Sequence, residues 1–144
     1  MSYSWSAISH KANKIIMSSE YKYYYRQRNG SITHRPFTLN QMDAVEAFIE
    51  QYNYVSKKYP EYRDLEKLCR KEIFLVLLDR MFMAYKAGYI ETHKEKLLDI
   101  INLTKKYDIS NCGLDKERKA ILNLLFTDIR KYIVGIKILT TNRI

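Results

Sequence analysis

The chain has 144 residues, enough for one domain that buries roughly 68–70% of the surface its unfolded form exposes. With 47% apolar and 28% charged residues, four glycines and two prolines, the composition argues against disordered and fibrous classes and for a globular fold. The net charge of +9 is concentrated at the front: residues 1–37 hold six Lys or Arg against one acid, Glu20, so that quarter is a cationic patch whose expected partner is an anion.

Taken in chain order, the first structured segment runs from Lys14 to Arg28. Two β-prone runs, KIIM and YKYYYRQR, are joined by Ser18-Ser19-Glu20, which predicts a hairpin or two neighbouring strands. Arg28-Asn29-Gly30-Ser31 offers a turn, since Asn and Gly tolerate positive φ, and Pro36 closes the segment.

From Thr38 the apolar period changes. Thr38 with Gln41 makes a capping-box signature, and Met42, Val45, Phe48, Ile49, Tyr52 and Val55 continue a helix to about Lys58. Pro60 separates it from a longer helix, about Tyr62 to Ala87, whose apolar centre includes IFLVLL (73–78) and whose C-cap is Gly88. Thr92 with Glu95 repeats the capping box and opens a third helix, to about Tyr107. Asp115 is the expected N-cap of a fourth, carrying Ile121 through Ile136. The fold expected is α+β, mainly α: a basic β-rich segment over 1–37, about four helices over 38–144, and one domain in all.

Cys69 and Cys112 match neither a metal knuckle nor a disulfide framework, so buried apolar roles and a reducing, cytoplasmic setting are expected. No apolar run approaches the roughly 20 residues of a membrane span, and the start, MSYSWSAISHK, lacks the features of a signal peptide. Histidines 10, 34 and 93 stand apart, no Asp-x-Asp occurs, and no metal ligands are assigned.

The Tyr/Arg stretch admits three readings. In the first, alternating tyrosines pack on the core while Lys22, Gln27 and Arg28 face water. The second is nucleic-acid binding, with Tyr23 and Tyr25 stacking on bases and Arg26 and Arg28 meeting phosphates. The third is a phosphate-binding loop, in which arginines and the Gly30-Ser31 backbone and hydroxyl hold a diphosphate.

The string ANKIIMSSEYKYYYRQRNGSITHRPFTLNQMDAV (12–45) resembles the C-terminal part of family 2 glycosyltransferases of the GT-A fold. The match is nearly complete over Tyr23-Tyr24-Tyr25-Arg26-Gln27-Arg28-Asn29-Gly30-Ser31-Ile32. From about residue 46 it extends only to helical character. The resemblance implies that Arg26 or Arg28, with Gly30 and Ser31, lies at the rim of a sugar-nucleotide site and approaches the donor diphosphate, while the tyrosines are mainly structural.

The family uses a nucleotide sugar with Mg or Mn, but its Asp-x-Asp motif and nucleotide-binding first half have no counterpart here. The acidic pair that supplies its catalytic base would fall just before Ser2, and residues 1–19 contain no acid. The resemblance therefore implies a C-terminal fragment or remnant of a sugar-transferring enzyme, with no catalytic residue and no cofactor of its own. Its implied partners are a second copy or a longer glycosyltransferase chain, because a strand face bearing Ile15 and Ile16 would lack its sheet. Peripheral contact of KYIVGIKILTTNRI with lipid at the inner membrane face is a further expectation, set against simple burial of an amphipathic helix. A basic nucleic-acid-binding module, the less favoured reading, and a purely structural helical interaction protein are the rival classes.

Overall fold

The computed structural model describes residues 11–14, 16, 19, 20 and 35–142. A 3-10 turn, Leu39–Met42, leads into α1, Asp43–Lys58. Thr38 is extended, and its carbonyl accepts from the Gln41 N–H at 2.9 Å, but its hydroxyl makes no capping bond. The capping box expected of Thr38 and Gln41 is thus not formed, since the backbone bond of the 3-10 turn takes its place. Pro60 keeps α1 from continuing, because it has no N–H to donate and pushes Tyr59 out of helical geometry.

The second helix, α2, spans Arg63–Lys86 and is about 36 Å long at 1.5 Å per residue. Ile73, Phe74, Leu77, Met81 and Ala84 have no exposed surface, so this helix is the central rod of the core. Gly88 takes φ +74° directly beyond it, and its N–H bonds to the Tyr85 carbonyl at 3.1 Å. A left-handed residue stops the helix there at little strain only because it lacks a Cβ.

The chain then makes a single turn, α3 (Tyr89–Thr92), breaks at His93, and continues as α4 (Lys94–Thr104). The Thr92 hydroxyl closes α3, donating to the Tyr89 carbonyl at 3.4 Å and lying 2.8 Å from His93 Nδ1. It caps nothing downstream, so the second expected capping box is also absent. After a loop over 105–115 come α5 (Lys116–Thr127) and α6 (Ile129–Thr141). Asp115 caps α5 as expected, accepting from the Arg118 N–H at 2.8 Å. Asp128 does the same for α6, accepting from the Arg130 N–H at 2.9 Å from an extended backbone. It splits a run that reads as one helix in the sequence.

The expected fold class is corrected by these findings. The described residues form six α-helices and a 3-10 turn rather than four helices, and none of them lies in a strand. Ile16, placed by the sequence reading on an apolar strand face, is 76% exposed and belongs to no strand. The physical reason is that β-preference is realised only against a sheet, and a two-stranded hairpin alone is marginal. Among the described residues the core closes among helices and presents no sheet edge. Most of the residues of that expected hairpin, 15, 17, 18 and 21–28, lie outside the described residues.

Packing places α1 along α2 and α5 along α6, with α4 against α1, α2 and α5. One core unites them, from Phe37 and Met42 through Phe74, Leu77 and Met81 to Leu97, Ile101, Leu122, Leu125 and Tyr132. Cys69 and Cys112 are buried and free, as expected for small apolar residues.

Candidate functional site

The residues assigned from the sequence to a donor-diphosphate rim, Arg26, Arg28, Gly30 and Ser31, lie outside the described residues, as do Tyr23 and Tyr25. What is described is the chain that follows them. Arg35 and Pro36 are exposed, and Phe37 is buried with its ring edge-on to Tyr89, 5.7 Å between centroids and 76° between planes. Phe37 therefore ties the basic segment to the corner between α2 and α3.

Three features of the helical body bear on function. The first is Arg70, in the middle of the first half of α2 and one of the few buried polar residues described. Its guanidinium donates from NH1 to the Asp108 carbonyl at 2.9 Å and from NH2 to the Asn111 carbonyl at 3.1 Å. Glu66, one turn earlier, lies 3.2 Å from Nε, and the Asp108 carboxylate 3.6 Å from NH1. Asp108 in turn accepts from the Ser110 hydroxyl at 2.6 Å and the Ser110 N–H at 2.9 Å. Those bonds from Ser110, aided by Arg70 and Lys119, hold the Asp108 carboxyl below its usual range. Two of its N–H groups thus bond to carbonyls of the 105–115 loop while Glu66 and Asp108 offset its charge, so Arg70 is a clamp on that loop and not a ligand-binding cation.

The second feature is a groove of about 380 Å³ between α2, α5 and α6. Leu75, Leu78, Phe82 and Ile121 form its apolar lining, Tyr132 its depth, and Asp79, Asp115 and Glu117 its acidic rim. Burial, with the neighbouring Tyr85 adding to it, raises the Tyr132 phenol well above its ordinary value, so it stays neutral. Asp79 lies 3.2 Å from Arg80, while Asp115 pairs with the Arg118 side chain besides capping α5. The Arg118 N–H is the main cause holding the Asp115 carboxyl below its usual range. No serine, threonine, cysteine, histidine or lysine lines this groove, so it has apolar depth without a nucleophile and base in partnership.

The third is the outward face of α6. Ile129, Tyr132 and Ile136 turn into the core, whereas Val134 and Ile138 are 57% and 56% exposed. Arg130, Lys131 and Lys137 are exposed around them, and α6 contains no acid. The groove was not found by motif reading, whereas the segment that carries this face, KYIVGIKILTTNRI, was singled out in the sequence without showing which of its residues stay outside. The signal available for the face was compositional: seven apolar residues in thirteen, more than one buried stripe of a helix can use.

Among the described residues, no group of three or more His, Cys, Asp or Glu comes together that could hold a metal ion. Comparison with protein-family models, with curated proteins and with solved structures finds no match to this chain.

Proposed function

We propose that these 144 residues act as the helical C-terminal region of a family 2 glycosyltransferase, contributing a donor-rim loop to sugar transfer and leaving the bond-making groups to other parts of such an enzyme. The observation that carries this reading is the string Tyr23 through Ile32, YYYRQRNGSI. The helical body supports it, because helices occupy most of the chain from Leu39 to Thr141, as the resemblance implies for the part that follows its loop.

In this role Arg26 or Arg28 forms charge-assisted hydrogen bonds to the donor diphosphate, and Gly30 and Ser31 add backbone N–H groups and a hydroxyl. An inverting transfer also needs a carboxylate to take the acceptor proton and a cation to stabilise the leaving diphosphate. The described residues offer no cluster fitting a divalent ion, and Asp108 and Asp115 already serve the fold. The loop accordingly binds and orients; no step is assigned to a metal here. The partner in this reading is a longer glycosyltransferase chain, and the reaction takes place at the inner face of a membrane.

Calorimetric titration with UDP in the presence of Mn²⁺ tests the proposal. Binding that disappears in Arg28→Ala is the expected result. Silence toward UDP would sink the donor-rim role. Binding of a single-stranded oligonucleotide instead, weakening steeply between two salt concentrations, would assign the basic segment to nucleic acid, because released counterions produce that slope.

A further inference from the structure

The outward face of α6 has a shape and a charge that the core does not use. Arg130, Val134 and Lys137 follow one another along the helix at spacings of four and three residues, and Lys131, Gly135 and Ile138 form the adjacent row. Val134 and Ile138 thus form an aliphatic stripe with cations on both flanks. Beside them Leu124 and Gly135 floor an open groove of about 430 Å³ that also reaches Arg130 and Lys131. Gly135 leaves the space for this close approach: a Cβ there would stand 2.9 Å from Leu124 Cδ1. Among the described residues none of Arg130, Lys131 and Lys137 is in an ion pair, and the Asp128 carboxylate is engaged by the Arg130 backbone N–H.

We propose that this face docks on an anionic lipid surface, with Val134 and Ile138 entering the headgroup layer and Arg130, Lys131 and Lys137 meeting lipid phosphates. Charge decides against a second copy using the same face, since a symmetric contact would bring like charges together with no acid to offset them. Area decides against a stable protein partner. Such an interface buries roughly 800 Å² on each side around an apolar centre, and two exposed aliphatic side chains fall far short of that. A lipid surface needs less apolar area, because the attraction of each cation to a sheet of negative charge adds to shallow insertion. The inference stands on the geometry of α6 and does not depend on the glycosyltransferase reading.

The test is co-sedimentation of the full chain with vesicles of phosphatidylcholine and with vesicles of equal parts phosphatidylcholine and phosphatidylglycerol. Binding to the second and not the first is expected. Lys131→Gln with Lys137→Gln should lower partitioning about fivefold for each lysine removed. Val134→Ser with Ile138→Ser should lower it with the charge unchanged. Lys57→Gln with Lys58→Gln, two exposed lysines at the end of α1, should leave it as it was. Trp5 is the one tryptophan, so Ile138→Trp in a Trp5→Phe background places a single reporter in the stripe, and its emission should shift to the blue with anionic vesicles. An unshifted reporter, or an equal loss in the α1 lysine variant, would overturn the proposal by showing attraction of the whole charged molecule. Failure to bind phosphatidylglycerol vesicles would also overturn it and leave an acidic protein surface as the occupant. Silence toward UDP alters none of these outcomes.

Discussion

Arg70 and the α6 cations carry the same charge in opposite surroundings. The Arg70 side chain is 11% exposed and lies against two backbone carbonyls and two carboxylates, whereas Arg130, Lys131 and Lys137 stand exposed on a helix without an acid. The difference separates positive charge that builds the fold from positive charge left at the surface. Counting residues cannot make that distinction, since both kinds contribute equally to the +9.

Three measurements would break or sharpen the comparison, and removing the clamp should have the largest effect. Arg70→Ala leaves the Asp108 and Asn111 carbonyls without their donor and releases the 105–115 loop, so a loss of about 3 kcal/mol is expected from urea unfolding. Arg70→Lys keeps the charge but not the two-pronged guanidinium, and should recover only part of that loss.

Acid should have a smaller effect. The carboxyls of Asp108 and Asp115 are held below their usual range, so the unfolded chain takes up protons more readily than the folded one. Their stabilising contribution is therefore complete above the ordinary carboxylate value of about 4 and is lost as the pH falls below it through the folded values. Thermal melts across that window should show a falling Tm, and the Asp108→Asn with Asp115→Asn variant a shallower fall. The smallest effect is expected at the surface. Lys131→Gln with Lys137→Gln should change unfolding stability by no more than about 0.5 kcal/mol, because these side chains have no partner in the fold. A larger change would mean that the α6 cations also hold the structure together.

The long apolar rhythm of α1 and α2 could be read directly, as could the stop at Gly88 and the cap at Asp115, because each depends on residues within a few positions of one another. Thr38 and Thr92 misled for the same reason. Both satisfy the spacing of a capping box, yet one hydroxyl makes no capping bond and the other closes the turn behind it. The break at Asp128 is hidden by an apolar pattern that runs on from Leu125 to Ile129. Nothing near Arg70 in the chain announces its burial, since the carbonyls it meets are 38 and 41 positions away. The α6 segment stood out in the sequence as basic and apolar together, but which of its residues stay outside depends on how α5 packs. Of the segment expected to form strands only Lys14, Ile16, Ser19 and Glu20 are described, and none of them lies in a strand, since the described chain supplies helices and no sheet for them to join.

The distance along the chain that separates Arg70 from its loop also sets an order of assembly. Helices α5 and α6 are joined through a single residue, Asp128, and can pair after closing almost no intervening chain. Bringing Asp108 and Asn111 to Arg70 means closing about forty residues of chain, at a greater entropic cost. The hairpin should therefore form early and the clamp late, so the stability lost in Arg70→Ala should be seen as faster unfolding with the refolding rate nearly unchanged. In that sense the clamp is a latch: it governs how long the folded chain stays closed more than how quickly it closes.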